Sequence, residues 1–95
     1  MAVGDVKSDL QTIANTGILT IQPPAGEEWV IHNIYYTQAV SIRLGKSGTF
    51  LSFDSDTTLG GRFGMTFHLT NGQYLQVLNT YAGNNVIAYD GVQTK

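Results

Sequence analysis

The sequence predicts an all-β fold: a single small β-sandwich or jelly roll of about seven or eight short antiparallel strands, with an N-terminal arm. Apolar and polar residues alternate along most of the chain, which is the period of a half-buried strand. Turn-forming residues separate these runs at spacings of roughly 8–12 residues, and no interior segment shows a convincing helical period. A length of 95 residues suits one domain, and we expect the sandwich to span residues 17–95.

Each predicted strand is an alternating run that ends at residues which favour turns. The first run ends at Pro23 and Pro24, because proline cannot donate a hydrogen bond to a neighbouring strand. Gly45–Gly48 is predicted as a turn and Asp56–Gly61 as a loop. The strands predicted in this way are Gly17–Gln22, Glu28–Thr37, Ala39–Gly45, Thr49–Ser55, Phe63–Thr70, Gln73–Thr80 and Asn85–Gly91.

A β-hairpin is predicted at Asn71-Gly72, between two alternating runs. Asn-Gly is the preferred pair for a type I′ turn, in which both central residues need a positive φ. A two-residue loop would place Leu69 opposite Tyr74 on the core side of the hairpin. The outer side of the hairpin would then carry His68, Leu75 and Val77.

The predicted strand Glu28–Thr37 is apolar on both of its faces. Cover of the outer face by a neighbouring subunit or by the N-terminal arm explains this pattern. The alternative is a set of scattered exposed apolar residues, which most proteins have. We favour the covered face. The two alternating sets are Trp29, Ile31 and Tyr35 on one side and Val30, Ile34 and Tyr36 on the other.

Residues 1–16 are predicted to form an N-terminal arm, for which two conformations stay open. Val6, Leu10 and Ile13 have the i, i+4, i+7 spacing of one helix face, and Ser8 or Asp9 suits the start of a short helix. The turn-forming residues that follow are equally consistent with an extended arm that lies on a neighbouring subunit. We favour the extended arm.

The composition excludes several classes of partner. Five Lys and Arg against seven Asp and Glu give a formal net charge of −2, whereas a protein that binds phosphate backbones needs a basic surface. No apolar stretch reaches about 18 residues, so we expect no membrane span, and the first ten residues lack a signal-peptide pattern.

The chain has no cysteine, which excludes disulfides and thiolate metal sites. A small domain without such supports favours homo-oligomerisation or docking on a larger assembly.

No constellation of side chains predicts catalysis, a cofactor or a metal ion. His32 and His68 have no carboxylate two residues away, so structural roles are expected for both. Asp54 and Asp56 resemble the start of a calcium loop, but the later positions of an EF-hand do not match; a solvated turn is favoured over a looser calcium site. The aromatic residues, together with loop Asn, Gln and Asp, leave a carbohydrate-binding surface open.

Two blocks of the sequence resemble small structural proteins of tailed-bacteriophage virions. The first is LTIQPPAGEEWVIHNIYY (Leu19–Tyr36), with a strand that ends in Gln-Pro, an Ala-Gly-Glu turn and a Trp-x-Ile-x-Asn-Ile strand. The second is the closing segment YDGVQTK (Tyr89–Lys95). This group includes head decoration (cement) proteins, often jelly rolls that bind the capsid lattice as dimers or trimers, and components of tails and head fibres. The resemblance carries no catalytic residues to this chain.

The resemblance implies a capsid decoration protein that stabilises the head by binding neighbouring capsid subunits. Its implied partners are the major capsid protein and further copies of itself, as a dimer or trimer. The implied location is the virion, on the head exterior, after synthesis in the cytoplasm of the bacterial host. The alternative is a tail or fibre adaptor, or a receptor-binding module that recognises host carbohydrate. The interface residues predicted on the arm and on the outer side of the hairpin are Val6, Leu10, Ile13, His68, Leu75 and Val77.

Overall fold

A computed structural model describes residues 3–95 of the chain as an all-β protein. No helix occurs within these residues, and the strands form two antiparallel sheets. The all-β class that the alternating pattern predicts is therefore confirmed. The strands are β1 (Val6–Ile13), β2 (Ile18–Ile21), β3 (Glu28–Tyr36), β4 (Val40–Lys46), β5 (Thr49–Asp56), β6 (Gly60–Arg62), β7 (Phe67–Thr70), β8 (Gln73–Asn79) and β9 (Asn85–Gln93).

The two sheets pack against each other in a sandwich-like arrangement. One sheet has five strands in the order β1-β9-β3-β6, with β7 also pairing with β3; the other has four strands in the order β2-β8-β4-β5. The shortest dimension of the chain is 20 Å, which suits two sheets stacked about 10 Å apart. Apolar side chains from both sheets fill the space between them, and the fully buried ones include Ile21, Ile31, Ile34, Leu75, Val77 and Ile87.

Six of the seven predicted strands match observed strands to within about two residues. The predicted strand Phe63–Thr70 is wrong in its first half, because only Phe67–Thr70 is extended. Gly64 interrupts it with a φ of +65°, a conformation that a strand does not contain. In addition, the loop predicted at Asp56–Gly61 contains the start of the short strand β6.

The turn predicted at Gly45–Gly48 is confirmed, and the structure shows that β4 and β5 are joined there by a two-residue hairpin loop. Ser47 and Gly48 have φ values of +52° and +82°, and Lys46 pairs directly with Thr49. Positive φ at both central residues is the requirement of a type I′ turn, whose twist matches that of the flanking strands.

The predicted hairpin at Asn71-Gly72 is wrong, because the strands on its two sides belong to different sheets. β7 pairs with β3 in the five-stranded sheet, whereas β8 pairs with β2 and β4 in the four-stranded sheet. The Asn71 side chain donates instead to the Pro23 carbonyl at 3.1 Å, which ties the corner to the chain after β2. By crossing between sheets, the chain directs both Leu69 and Leu75 into one core.

The N-terminal segment is a strand of the sandwich rather than an arm that leaves it. β1 pairs with β9 without interruption, from Val6 opposite Val92 to Ile13 opposite Asn85. This corrects the short-helix alternative: burying Ile13 and pairing eight residues with β9, of which alternate ones hydrogen-bond to it, outweighs the weak helical spacing. The first two residues of the predicted arm lie outside the described residues.

A β-bulge explains why β3 is apolar on both sides. The pairing of β3 with β9 shifts between Ile31 and Asn33, so that His32 is an extra residue. Before the bulge Ile31 points into the core, and after it Ile34 and Tyr36 do. The bulge therefore moves the core face from odd-numbered to even-numbered residues, and the two-sided pattern needs no neighbouring subunit to account for it.

Candidate interaction surface

The structure separates the six predicted interface residues into an exposed and a buried group. Val6 and Leu10 are 73% and 65% exposed on β1, and His68 is exposed on β7; their interface role stays a prediction. The assignment of Ile13, Leu75 and Val77 to a contact surface is wrong, because all three lie in the hydrophobic core. For Leu75 and Val77 the reason is the placement of β8 in the second sheet, which turns these side chains inward.

The outer side of the five-stranded sheet carries a first row of apolar side chains across four strands. Val6 lies opposite Val92, Val92 opposite Val30, and Val30 opposite His68. Directly opposed side chains on one face of a sheet are in contact range. Val30 is nearly buried within this row, although it lies outside the core cluster.

A second apolar row crosses the same side of the sheet four residue pairs further along β1 and β9. Leu10 lies opposite Ala88, and Ala88 opposite Tyr35. The Phe63 ring lies 5.5 Å from the Tyr35 ring at an interplanar angle of 54°, a distance and tilt at which aromatic rings attract. Phe63 is 61% exposed and Tyr35 is 38% exposed.

We call this surface the outer apolar face and define it by four exposed side chains: Val6, Leu10, Tyr35 and Phe63. Three of them stand on strands held by ladder pairing, and the ring of Phe63 lies over the backbone of Gly61. A side chain at Gly61 would overlap that ring, since an added Cβ would lie 2.5 Å from the Phe63 Cζ atom. Because Gly61 has no side chain, the Phe63 ring can lie next to the Tyr35 ring.

Polar contacts hold the centre of the outer apolar face in place. Asp90 accepts hydrogen bonds from the Asn33 side-chain amide and from the Tyr35 hydroxyl, both at 2.7 Å. The hydrogen bond to Asp90 raises the pKa of Tyr35, because the carboxylate favours the protonated phenol. The Asn33 oxygen accepts from the Gly64 amide at 3.0 Å, which fixes the segment next to Phe63. The aromatic pair is thus set in one orientation before any partner binds.

His32 has a structural role in this arrangement, as the sequence predicts. Its Nδ1 atom lies 2.8 Å from the Met65 carbonyl oxygen, and the Met65 amide donates to the His32 carbonyl at 2.8 Å. A carbonyl only accepts, so Nδ1 carries the proton and donates. These two bonds anchor the bulge of β3 to the segment between β6 and β7.

Tyr35 and Phe63 are members of this surface that the sequence pattern did not single out. Simple alternation places Tyr35 on the core side with Trp29 and Ile31, and only the bulge at His32 turns it outward. A bulge leaves no reliable mark in a strand sequence. For Phe63 a signal exists, since it is an aromatic residue in a glycine-rich segment, Gly60-Gly61-Arg62-Phe63-Gly64.

A second exposed apolar strip lies on β5, at the edge of the other sheet. It consists of Leu51, which is 63% exposed, and Phe53, which is about two-fifths exposed; the Phe50 side chain points to the other side of β5, where it contacts Arg43. Phe53 packs against Phe67 of the five-stranded sheet with ring centroids 5.7 Å apart. The strip lies on the opposite side of the sandwich from β1, because β5 contacts β6 whereas β1 contacts β2, the strand at the other end of the four-stranded sheet.

The outer side of the four-stranded sheet is polar at its centre, in contrast to the outer apolar face. Arg43 donates to the Gln76 side chain through Nε at 2.9 Å and Nη2 at 2.6 Å, and Gln76 donates to Thr20 at 3.3 Å. Because these side chains satisfy one another, this side offers few unpaired groups to a partner.

The two carboxylates that resemble a calcium loop are held by a guanidinium group. Arg62 forms a two-point contact with Asp54 and lies 3.6 Å from the Asp56 carboxylate. The Arg62 hydrogen bonds lower the pKa of Asp54, and the Tyr36 hydroxyl lowers that of Asp56. Among residues 3–95, no group of three or more His, Cys, Asp or Glu side chains is placed to hold a metal ion.

Comparisons with known proteins do not indicate a function for this chain, so its function is interpreted from its surface. Neither a scan against protein-family models nor a search of curated proteins found a match to this chain. In the described part of the chain, no helix has the length and apolar character needed to cross a membrane. Among the described residues, the outer apolar face brings four exposed apolar side chains to one side of a sheet, and we take it as the candidate interaction surface.

Proposed function

We propose that this protein is a structural component of a bacteriophage virion that decorates and stabilises the capsid by binding neighbouring capsid subunits. The outer apolar face carries this proposal. Three of its four exposed side chains stand on paired strands, and exposed apolar patches mark protein contact sites on small soluble domains. The resemblance of Leu19–Tyr36 and Tyr89–Lys95 to virion proteins supplies the identity of the partner.

The strand order supports a jelly roll as the finer description of the fold. When β6 and β7 are counted as one interrupted strand, successive strands enter the two sheets in the order that two interlocked Greek keys require. Jelly rolls occur in viral capsid proteins and in lectins. The fold is therefore compatible with both functions that the resemblance implies, and it selects neither.

Bridging two capsid subunits requires two separate contact surfaces on one small domain. The outer apolar face is the first, and the strip of Leu51 and Phe53 on β5 is the second. A protein with these two surfaces binds the assembled lattice and not its dissociated subunits. Such binding stabilises the particle by mass action, without any catalytic step. The proposal includes the major capsid protein as partner, self-association as a dimer or trimer, and a position on the head exterior.

The first test is the number of copies of this protein per purified virion, measured by quantitative mass spectrometry against the major capsid protein. Hundreds of copies are expected, because a decoration protein tiles the lattice. A few to a few tens of copies would move the protein to the tail, portal or fibre, and absence from the particle would overturn the proposal.

The second test measures binding of the purified chain to capsids that lack it. Phe63→Ser is expected to weaken binding by roughly tenfold or more, because truncating a central aromatic contact typically has a large effect. Leu51→Ser removes an equally exposed apolar side chain from β5 and probes the second contact surface separately. Leu59→Ser, in the loop after β5, is the control for loss of an exposed apolar group. Equal binding by all three variants would contradict the assignment of both surfaces.

A carbohydrate-binding module of the tail or fibre is the second candidate. The observation that favours it is the proximity of the Tyr35–Phe63 pair to Asp90 and Asn33, since sugars bind where aromatic rings adjoin amide and carboxylate groups. A glycan array with the isolated domain discriminates between the candidates. Specific binding that Phe63→Ser abolishes would support the receptor-binding module, whereas no binding to any glycan would support the decoration protein.

A further inference from the structure

Strand β1 has a long, regular and exposed edge. Its eight residues pair with β9 in unbroken register, and no other described strand pairs with its opposite edge. Such an edge is a template for strand pairing with another chain. The other long edge strand, β5, contains a bulge at Phe53 and directs Asp54 and Asp56 toward the sheet interior, two devices that hinder such pairing. β1 contains neither a bulge nor a proline.

Two hydrogen bonds show which backbone groups of β1 face its open edge. The Gln93 amide of the β9 strand donates to the Asp5 carbonyl at 2.9 Å, so Asp5 directs its carbonyl toward β9. The Leu10 amide donates to the Asp9 carboxylate at 2.9 Å, a side chain of its own strand. Because strand residues alternate, the even-numbered residues of β1 direct their amides and carbonyls outward. This outward-facing set is Val6, Ser8, Leu10 and Thr12.

We propose that two copies of this chain associate by antiparallel pairing of their β1 strands about a two-fold axis at Ser8. A two-fold axis perpendicular to the sheet requires one residue to face its own copy. With Ser8 at the axis, Lys7 faces Asp9 of the second copy, and Val6 faces Leu10 of the second copy. The exposed aliphatic residues of β1 are thereby matched with each other, and no two like charges lie opposite one another; the Lys7 ammonium group is buried within its own copy, 3.9 Å from Glu27.

The neighbouring registers are less favourable. An axis at Lys7 would oppose Asp5 to Asp9 of the second copy, and an axis at Asp9 would oppose two carboxylates, which destabilises a strand pair. An axis at Leu10 would place Val6 opposite Ala14 and lose the match between Val6 and Leu10. In the Ser8 register the Leu10 amide exchanges the Asp9 carboxylate for the Val6 carbonyl of the second copy.

This pairing would join the two five-stranded sheets into one continuous sheet. Val6 and Leu10 belong to the outer apolar face, so the two faces would merge along the seam between the copies. The inference deepens the self-association within the proposed function. Its test uses the isolated chain without capsids, so that its failure is distinguishable from a failure of capsid binding.

Cysteine cross-linking tests the register directly, because the natural chain contains no cysteine. Directly opposed residues of an antiparallel pair have Cα atoms roughly 4.5–5.5 Å apart, within the range that a disulfide spans. Ser8→Cys is expected to form a covalent dimer under mild oxidation. Val6→Cys mixed with Leu10→Cys is expected to form a mixed dimer in preference to either homodimer. Thr20→Cys, on the edge strand β2 of the other sheet, is the control and should stay monomeric.

Sedimentation velocity supplies a second measurement without oxidation. The natural chain is expected to show a monomer–dimer equilibrium, and Ser8→Lys, which opposes two ammonium groups at the axis, should weaken the dimer by roughly tenfold or more. The circular dichroism spectrum of the variant should match that of the natural chain, because Ser8 is exposed. A natural chain that sediments only as a monomer, or cross-linking strongest at Leu10→Cys, would overturn the proposal.

Discussion

Two polar clusters join the two sheets of this protein, and they differ in how much water reaches them. At one end, Asn79 of β8 and Asn85 of β9 are almost completely buried. Their side chains hydrogen-bond to each other at 3.3 Å and to the backbone of Ile13 at the end of β1, Gly83 between β8 and β9, and Ala39 between β3 and β4. Along the side where β5 meets β6, Arg62 contacts Asp54 and Asp56, and all three side chains are between 27% and 29% exposed.

We expect burial, rather than charge, to decide how much each polar cluster contributes to the stability of this fold. A buried amide that loses its partner leaves a polar group without water, which costs more than the bond itself contributed. A partly exposed carboxylate that loses its guanidinium partner regains water, and salt screens what remains. We therefore expect the neutral amide pair to matter more than the ion pairs.

The largest effect is expected for Asn85→Ala. The Asn85 oxygen accepts from the Thr37 and Gln38 amides, and its nitrogen donates to the Ala39 carbonyl. Loss of these bonds in a buried site should lower the free energy of unfolding by about 2–4 kcal/mol, measured by urea denaturation. Asn84→Ala, at the exposed neighbouring position, is the control and should change it little. Equal urea midpoints for Asn85→Ala and Asn84→Ala would contradict the expectation that the buried amide pair contributes strongly to stability.

A smaller effect is expected for Arg62→Met. The variant keeps most of the side-chain length but removes the two-point contact with Asp54 and the bond to the Tyr36 hydroxyl. Because the cluster is partly exposed, the free energy of unfolding should fall by about 0.5–1.5 kcal/mol. Lys95→Met, which removes a more exposed ion pair with Glu28, serves as the control. A loss larger than that of Asn85→Ala would reverse the ranking of the clusters.

The pH dependence of the free energy of unfolding should also distinguish Arg62→Met from Asn85→Ala. Arg62 lowers the pKa of Asp54, so this carboxylate stabilises the folded state above the pKa of about 3.9 that Asp has in the unfolded chain. That contribution disappears as the pH falls through the lower folded-state pKa. Urea midpoints at pH 7 and at about pH 3 should therefore differ less for Arg62→Met than for the natural chain. Asn85→Ala should lose similar stability at both values, because amides do not titrate.

The smallest effect is expected for Tyr36→Phe. Burial, together with the hydrogen bond to Asp56, raises the pKa of Tyr36 to about 12. The neutral phenol therefore stabilises the folded state below pH of about 10, and this contribution is lost as the pH rises through the folded-state value. In a phenolate absorbance titration, Tyr36→Phe should remove the component near pH 12. An unchanged alkaline titration would show that Tyr36 is not the tyrosine that titrates near pH 12.

Much of the strand content of this protein was accessible from local sequence. Alternation located six strands, and Gly45–Gly48 located the β4–β5 turn, because period-two patterns and positive-φ residues are local properties. Of the surface, Val6 and Leu10 were predicted and are exposed. Tyr35 was not identified, since its direction depends on a bulge formed by pairing with a strand more than 50 residues away in sequence.

The sequence by itself determined that this chain forms short strands with apolar residues on their inner sides and lacks cysteine chemistry. Only the tertiary structure decided which sheet each strand joins. The corner at Asn71-Gly72 illustrates the reason, because its residues suit a hairpin and yet the chain crosses there between the sheets. Burial of Leu69, Leu75 and Val77 in one shared core outweighs the preference of a two-residue turn. Strand pairing is a long-range choice made by the whole core, and it sets which apolar side chains are left at the surface.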